Sequence, residues 1–287
     1  MSGAIGVIGG TGLYEIDGFE EVEAVVVKTP FGDPSDVIVG GRLHGREVYF
    51  LPRHGRGHRI APHEINHRAN IWAMRFLGVR WIVAVTAVGS LQEKYRPRDI
   101  VLPDQFFDRM SRREHHTFFG GGIVAHVSLA EPLSTNLRAI LARVCGESGR
   151  PFHDGGTYVN MDGPAFSTRA ESNAYRALGF DVIGMTNLPE AKLAREAEIA
   201  LATVAMITDY DCWRVDEAPV TAGAIGEHLK ANVVTARDIL ARVIPEIPET
   251  ADWPEHRSLD GAILTPADVW PEKTKEKLRV ILDRIVQ

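Results

Sequence analysis

Short apolar runs and longer segments with helical spacing alternate along this chain of 287 residues. An apolar run of about four to eight residues, closed on both sides by polar or turn residues, is typical of a buried strand. Such runs predict strands at Ala4–Ile8, Val22–Val27, Val37–Val39, Glu47–Leu51, Trp81–Thr86, Ile100–Leu102, Thr157–Met161, Val182–Met185 and Leu201–Ile207. The pattern therefore predicts a fold built around a largely buried sheet.

Apolar residues three or four positions apart predict amphipathic helices between and after the later strands. The predicted helices are Pro62–Leu77, Leu133–Cys145, Ser167–Leu178, Pro189–Glu198, Val220–Val243 and Thr274–Val286. The first of them is expected to bury the face that carries Ala69, Trp72 and Phe76.

Strands that alternate with helices through short links favour an α/β fold. We therefore expect a mixed, largely parallel, twisted sheet flanked by helices. The early strands have no helices between them, so part of the sheet is expected to be antiparallel or barrel-like. No repeat, low-complexity segment or linker interrupts the chain, which predicts a single domain over residues 1–287 with a helical C-terminal extension at about 244–287.

The composition narrows the class of protein. A formal charge of -6 and a pI near 6.0 argue against a nucleic-acid partner, which usually binds a basic face. The two cysteines, Cys145 and Cys212, cannot build a disulfide framework or a zinc ribbon, which favours a reducing compartment. The first residues do not resemble a signal peptide, and no apolar stretch reaches the roughly 20 residues of a membrane span. We therefore expect a cytoplasmic protein with no membrane partner.

Two acids, Asp209 and Asp211, follow the apolar run Ile199–Ile207 almost directly. A parallel strand places such residues at its carboxyl end, where α/β folds bind ligands. Burial raises the pKa of a carboxyl group, so an acid held there can keep or gain a proton. It could then donate to a ring nitrogen while the other acid accepts from an exocyclic amine, as on a purine with an amino group at C6. Solvated acids in a turn are the competing interpretation.

A glycine-rich turn, Gly9–Gly12, follows the first predicted strand and contains Thr11. Glycines let backbone amides approach an anion, and Thr11 adds a hydroxyl donor. A dinucleotide fingerprint is the rival interpretation, but it needs G-x-G-x-x-G at the start of a helix. Here the spacing differs and another strand follows, so an anion site and a plain tight turn both stay open.

A basic loop that contains Arg53, His54 and His58 follows the apolar run Val48–Leu51. The planar guanidinium of Arg53 can bind two phosphate oxygens, and His54 can add a donor. His54 and His58 also have the i, i+4 spacing of a metal-binding pair. However, the neighbouring arginines would repel a divalent cation, and no His-Glu-x-x-His pattern is present. We favour an oxyanion site over a metal site or a solvated basic loop.

Two further strand ends carry hydroxyl groups. Thr86 and Ala87 follow one apolar run, and Thr186 follows another just before a predicted helix. Hydroxyls and backbone amides at such ends can hold an anion. Each is by itself more often a plain strand end, but we predict that the four strand ends converge on one phosphate. Phe166, beside a tight turn, could stack on a flat base or belong to the core.

Together these segments resemble the methylthioadenosine phosphorylases, a branch of the trimeric purine nucleoside phosphorylase family. The resemblance covers residues 5 to about 240. It rests on Gly9-Gly-Thr-Gly, Arg53-His54-Gly55, Thr86-Ala-Val-Gly-Ser, Gly163-Pro164 with Phe166-Ser167, Met185-Thr186 with Pro189-Glu190, and Thr208-Asp-Tyr-Asp-Cys-Trp213. Members that act on 6-oxopurines carry asparagine at the last strand end. The acid pair here therefore resembles the 6-aminopurine branch.

The resemblance implies a role for each matching residue. The catalytic residues would be Asp209 and Asp211. Phosphate would be bound by Thr11, Arg53, His54, Thr86, Ala87 and Thr186. The nucleoside would be bound by the two acids together with His58, Phe166, Ser167, Met185, Tyr210, Ala222 and Ile225.

The implied reaction is phosphorolysis of S-methyl-5'-thioadenosine to adenine and 5-methylthioribose 1-phosphate, in purine and methionine salvage. Phosphate would be a co-substrate, no cofactor or metal would be needed, and the protein would be a homotrimer. The alternatives are a phosphorylase of 6-oxopurine or broader 5' specificity, a nucleotide-binding module without turnover, and a metal hydrolase.

Overall fold

The computed structural model describes residues 3–10, 12–111, 113–214 and 222–286, and gives residues 222–225 only as part of a helix. Its strands are β1 (Ala4–Gly9), β2 (Phe19–Val25), β3 (Ile38–Leu43), β4 (Arg46–Pro52), β5 (Val79–Ser90), β6 (Ile100–Leu102), β7 (Gln105–Arg109), β8 (Phe152–Asp154), β9 (Thr157–Met161), β10 (Val182–Gly184) and β11 (Ala200–Asp209). Its α-helices are α1 (His67–Phe76), α2 (Thr135–Glu147), α3 (Arg169–Ala177), α4 (Asn187–Glu196), α5 (Ala222–Val243) and α6 (Glu272–Leu282). Short 3-10 turns lie at Pro62–Glu64, Ile244–Glu246, Pro254–Arg257 and Ala267–Val269.

The strands form one sheet that branches at β5. β5 pairs in parallel with β1 on one side, as far as Ala84, and with β11 on the other. Its last two residues, Gly89 and Ser90, pair with β10, which continues through β9 to β7. On the remaining branches, β4, β3 and β2 extend from β1, and β6 and β8 extend from β11.

Six of the ten strand pairings are parallel and four are antiparallel, so the predicted mixed, largely parallel sheet is confirmed. Helices cover both faces. On one face α1, α4 and α6 pack together, with Ile71, Leu193 and Ile281 in one apolar cluster. On the other face α2 and α5 contribute Leu137 and Ile239 to a second cluster. The apolar periodicity of these helices is therefore buried against the sheet, as its spacing predicts.

Two short strands, β7 and β8, are absent from the sequence-based prediction. Both mix apolar and charged residues, so neither has the apolar run by which the other strands are recognised. β8 is held by its parallel pairing with β6, and β7 by its parallel pairing with β9. Their strand conformation follows from long-range pairing rather than from local pattern.

The helix predicted at Pro62–Leu77 is shorter than expected. A 3-10 turn comes first, and α1 begins only after Asn66, whose side chain accepts a hydrogen bond from the Ala69 backbone N–H. Asparagine is a favoured residue at this capping position. The expectation that Phe76 is buried is wrong, because its side chain is 51% exposed at the end of the helix and stacks on Trp72.

Candidate active site

The candidate site lies where β5 changes its neighbour. On one side of β5, pairing with β1 stops at Ala84 and pairing with β10 begins only at Gly89. Thr86 and Ala87 lie on the edge between these points. The prediction that Thr86 ends a strand is wrong, because β5 continues to Ser90. An opening beside the carboxyl ends of parallel strands is where α/β sheets bind ligands.

Arg53, directly after β4, is held at this edge by a buried ion pair. Its Nε and Nη2 donate to the two carboxylate oxygens of Glu190, at 2.5 and 2.9 Å. Nη1 also donates to the Val85 carbonyl at 2.9 Å, and Nη2 to the Ile8 carbonyl at 3.3 Å. The guanidinium edge of Arg53 that the sequence predicts to bind phosphate is therefore bound to Glu190. Among the described residues, one Nη1 hydrogen has no partner.

The ion pair keeps Arg53 charged in a dry environment. Burial by itself lowers the pKa of a guanidinium, but the charge and hydrogen bonds of Glu190 outweigh it, and the pKa of Arg53 is raised. Glu190 is held in turn by Asn187, whose Nδ2 donates at 3.3 Å and whose Oδ1 accepts from the Thr203 hydroxyl at 2.6 Å. His67 Nδ1 lies 4.0 Å from the same carboxylate.

His54 and His58 stack, with ring centroids 4.2 Å apart. His54 Nδ1 lies 2.8 Å from the Ile60 carbonyl, so Nδ1 carries the proton and Nε2 is an acceptor. Burial, with the nearby charge of Arg53, lowers the pKa of His54 to about 4. The neutral ring is thus not the phosphate donor that the sequence predicts. The His54 backbone N–H, which has no partner among the described residues, is available for that role.

Thr86 and Thr186 lie close together, because the hydroxyl of Tyr158 is near both the Thr86 hydroxyl and the Thr186 backbone N–H. Thr186 occupies the capping position of α4, yet its side chain makes no capping hydrogen bond. No described residue makes a hydrogen bond to this hydroxyl, which lies beside a helix N-terminus, where backbone N–H groups favour anions. The Thr86 hydroxyl makes one long contact, 3.4 Å to the Ala87 carbonyl. Thr11 lies outside the described residues.

Asp209 ends β11, and its carboxyl group is tightly held. It accepts from the Thr208 hydroxyl at 2.6 Å and from the Asp211 backbone N–H at 2.8 Å. It lies over Gly89 of β5, where a Cβ atom would come within 3.0 Å of Oδ1. Glycine at this position leaves room for the carboxyl group at the end of the opening.

Burial is the main reason that the pKa values of both acids are raised. Hydrogen bonds from Thr208 and from the Asp211 N–H partly oppose this for Asp209. For Asp211 the nearby Ser172 hydroxyl and the Cys212 N–H partly oppose it. Asp211 Oδ2 is buried, and no described residue reaches it with hydrogen-bond geometry. A raised pKa favours the protonated form of a carboxyl group, which can share its proton with a bound base.

Ser167, which the sequence predicts to contact the nucleoside, lies near Asp211. The Cys212 thiol is 3.2 Å from the carbonyl of Ser167. Phe166 is 46% exposed, so it does not belong to the core. Met185 lies against Gly163, where a Cβ atom would come within 2.5 Å of its sulfur. His58 is exposed and stacks on His54.

The structure shows how Tyr210 packs and leaves the assignments of Tyr210 and two other residues open. The Tyr210 ring packs against Trp213, with centroids 5.6 Å apart, in a buried cluster that includes Ile183. It therefore supports the acid-bearing turn from the core side, and its assignment to substrate stays a prediction. The side chains of Ala222 and Ile225 lie outside the described residues.

Glu190, Asn187 and Thr203 are missing from the sequence-based site. The motif with Pro189-Glu190 signals a helix start, but nothing local pairs Glu190 with a residue 137 positions away. Within the described ranges no three His, Cys, Asp or Glu side chains form a possible metal site. In the same part of the chain, no helix is long and apolar enough to cross a membrane.

Comparison with known proteins agrees with this geometry. A family model described as the phosphorylase superfamily matches residues 4–245. The chain belongs to the phosphorylase superfamily. An S-methyl-5'-thioadenosine phosphorylase of Geobacter sulfurreducens is 50% identical over 286 residues, which is 100% of each chain.

Two solved structures are similar over nearly their whole length. A methylthioadenosine phosphorylase from an antarctic soil metagenomic library has a TM-score of 0.93 and 45% identity, covering 98% of this chain and 99% of that one. The Schistosoma mansoni methylthioadenosine phosphorylase in complex with adenine has a TM-score of 0.82 and 34% identity, covering 98% of both. The predicted family, fold class and enzyme class are therefore confirmed.

Proposed function

We propose that the enzyme cleaves the glycosidic bond of S-methyl-5'-thioadenosine with inorganic phosphate, giving adenine and 5-methylthioribose 1-phosphate. The observation that supports this most is the presence of two chemically opposite ends along one strand edge. Donors gather around Thr86 beside the Arg53–Glu190 pair, and acids with raised pKa values lie over Gly89. Three positions of β5 separate Thr86 from Gly89, about 10 Å at the rise of a strand. This separation fits a ribose that lies between a purine at one end and a bound phosphate at the other.

At the base end, a protonated Asp209 would donate to purine N7, and Asp211 would accept from the 6-amino group. The raised pKa of Asp209 favours the protonated donor. The unpartnered Oδ2 of Asp211 supplies the acceptor. A 6-oxopurine would place O6 against Asp211 Oδ2. Both oxygens are acceptors, so no hydrogen bond would form between them. We therefore favour 6-aminopurines over the 6-oxopurine alternative.

The proposed mechanism follows the charge that develops as the bond breaks. The ribose becomes cationic, and the departing purine becomes anionic. Proton sharing between Asp209 and N7 neutralises the purine, and general acid help of this kind contributes roughly 10²–10⁴-fold. Phosphate beneath the ribose stabilises the cation and then attacks C1'.

Phosphate would be bound by oriented donors more than by net charge, because Glu190 neutralises Arg53. The donors that we assign are the hydroxyls of Thr11, Thr86 and Thr186, the backbone N–H groups of His54 and Ala87, and Nη1 of Arg53. Fixed donors of this kind stabilise an anion without reorganising during the reaction. We propose no metal and no cofactor, with phosphate as a co-substrate.

The remaining nucleoside contacts are proposed from the resemblance to the family. We assign Phe166 and Ser167 to the base and Met185 to the ribose. His58, Ala222 and Ile225 are assigned to the 5' end, where small apolar side chains suit a methylthio group that has no hydroxyl. Broader 5' specificity, with 5'-deoxyadenosine or adenosine as substrates, is the second candidate.

We further propose a cytoplasmic homotrimer that acts in purine and methionine salvage. An apolar surface that another copy could cover supports an oligomer. Val124 and Leu264 are 47% and 64% exposed and are joined by a 2.9 Å backbone hydrogen bond. An open groove of about 870 Å³, lined in part by Leu264 and Trp270, lies beside them. Light scattering of the purified protein tests the trimer.

Chromatography of reaction products tests the reaction itself. Purified protein is incubated with methylthioadenosine in phosphate and in phosphate-free buffer, with inosine and methylthioinosine as parallel substrates. We expect adenine only when phosphate is present, and little hypoxanthine from the parallel substrates.

Three results would contradict the proposal. Hypoxanthine as the main product would mean that the acid pair does not select the 6-amino group. Ligand binding without release of any base would favour the nucleotide-binding module. Activity that chelators abolish would instead support the metal hydrolase.

A further inference from the structure

A buried tyrosine hydroxyl lies behind the proposed phosphate site. Tyr158 on β9 is fully buried, and no described residue makes a hydrogen bond to its hydroxyl oxygen Oη. Its ring packs against Phe106, with centroids 5.3 Å apart, in a cluster that includes Val182. An unpaired buried hydroxyl is destabilising, and phenylalanine would fill the same space without that cost. Packing alone therefore does not explain the hydroxyl group.

Gly184, on the adjacent strand β10, makes room for this hydroxyl. A Cβ atom at Gly184 would lie 1.9 Å from Tyr158 Oη and 2.6 Å from Cζ. Any other residue there would displace the tyrosine ring. The pair of residues thus holds Oη at a defined point of the sheet.

That point lies beside two residues of the proposed phosphate site. Oη is near the Thr86 hydroxyl and the Thr186 backbone N–H, but neither contact meets hydrogen-bond geometry. Burial raises the pKa of Tyr158 to about 12, so the group stays protonated and can donate. Hydrogen bonds of this kind often tighten only in the reacting complex.

We propose that Tyr158 is a positioning residue for phosphate, because its O–H donates to Thr86 Oγ1 and thereby directs the Thr86 hydrogen toward phosphate. A hydroxyl has a single hydrogen, so an oxygen that accepts from Tyr158 turns its own hydrogen away from Tyr158. The Thr186 N–H donates to Oη in turn. The three hydrogen bonds then run in one direction, and each strengthens the next. This role rests on the proposed function, since it requires phosphate at Thr86.

The test is Tyr158→Phe, which removes only the oxygen, with Tyr95→Phe as the matched control. Tyr95 is a buried tyrosine of the same apolar cluster, outside the proposed site. We expect KM for phosphate to rise about tenfold in Tyr158→Phe, as for the loss of one hydrogen bond. KM for methylthioadenosine should change less than about twofold, and the melting temperature should not fall. Tyr95→Phe should leave both KM values unchanged.

A double-mutant cycle with Thr86→Val separates positioning from independent binding. If Tyr158 acts through Thr86, then Tyr158→Phe has no further effect on the phosphate KM of Thr86→Val. Additive effects, an unchanged phosphate KM in the single variant, or a variant that does not fold would each overturn the proposal. Wild-type turnover that does not need phosphate would overturn the proposed function as well. Phosphate-dependent wild-type turnover with an unaffected Tyr158→Phe would overturn the role of Tyr158 alone.

Discussion

The two ends of the candidate site both contain buried acids, but they treat charge in opposite ways. At the phosphate end, Glu190 is fully buried and paired with Arg53 through two hydrogen bonds. At the base end, no described cation lies within ion-pair distance of Asp209 or Asp211, and burial raises the pKa of both. The phosphate end holds a fixed ion pair. At the base end, the raised pKa values shift the carboxyl groups of Asp209 and Asp211 toward the protonated form.

This difference shows how one residue type serves two purposes. A buried carboxylate stays ionised when a cation compensates for lost hydration, and it moves toward the protonated form when none does. Glu196 on α4 provides a third case outside the site. Burial raises its pKa to about 7, although it accepts hydrogen bonds from Phe118 N and the Thr117 hydroxyl at 2.6 and 2.7 Å.

The largest effect is expected at the base end, from Asp209→Asn. The amide keeps the shape of the side chain but has no acidic proton for N7. We expect kcat/KM for methylthioadenosine to fall roughly 10²–10⁴-fold, the usual range for loss of general acid catalysis. The dissociation constant for phosphate should change little, and both quantities can be measured on the same preparation.

Methylthioinosine provides the internal control for Asp209→Asn. An asparagine amide can donate to O6 and N7, so activity on the 6-oxopurine should fall much less or rise. Methylthioadenosine activity that survives the substitution would refute the assignment of the base site.

The next largest effect is expected at the phosphate end, from Glu190→Gln. The change leaves Arg53 charged and buried without its counter-ion. Breaking one side of a buried ion pair costs roughly 3–5 kcal/mol, and we expect this loss in the free energy of unfolding measured in urea. KM for phosphate should rise as well, because Arg53 loses its fixed orientation.

The matched control is Glu276→Gln, which removes an exposed partner of Arg279 on α6. Exposed ion pairs contribute little, so this variant should unfold at the wild-type urea concentration. Equal stability of the two variants would mean that the buried pair is not the anchor of the phosphate end.

A third prediction concerns pH and uses Glu196. Its pKa is 4.5 in the unfolded reference and about 7 in the folded protein, so the folded state binds the proton more tightly. The resulting stability is complete below about pH 4.5 and is lost as pH rises through about 7. At about 1.4 kcal/mol per pKa unit, the loss is roughly 3 kcal/mol.

Glu196→Gln should remove this dependence. We expect the difference in unfolding free energy between variant and wild type to change by roughly 2.5 kcal/mol between pH 5 and pH 8, in favour of the variant at high pH. Taking the difference cancels the opposite contribution of the buried histidines. A difference that stays constant with pH would show that Glu196 remains ionised throughout.

The smallest effect is expected from Thr168→Ala, at the start of α3. Thr168 and Glu171 form a reciprocal capping pair, and loss of such a cap costs about 1 kcal/mol. Because α3 carries Ser172 beside Asp211, KM for the nucleoside should also rise. Ser134→Ala removes the comparable cap of α2 and should lower stability without changing that KM. If both variants changed the nucleoside KM equally, α3 would have no specific role in holding the base end of the site.

Local sequence patterns predicted most strands, most helices and most of the positions at which polar residues leave the strands. Periodicity is a local property, so Asp209 and the basic loop at Arg53 could be placed at strand ends without any knowledge of their neighbours. The motifs in these segments also determined the family. Burial of the acid pair, and hence the direction of its pKa shift, followed from the same pattern.

Contacts between functional side chains from distant segments became known only from the three-dimensional structure. The pairing of Arg53 with Glu190 joins segments that are distant in sequence. Through it, the guanidinium edge that the sequence assigned to phosphate binds a carboxylate instead. The neutral state of the His54 ring and the room that Gly184 leaves for Tyr158 depend on packing between segments. Such contacts have no local signal, because spatial neighbours in a sheet are set by strand order and register rather than by distance along the chain.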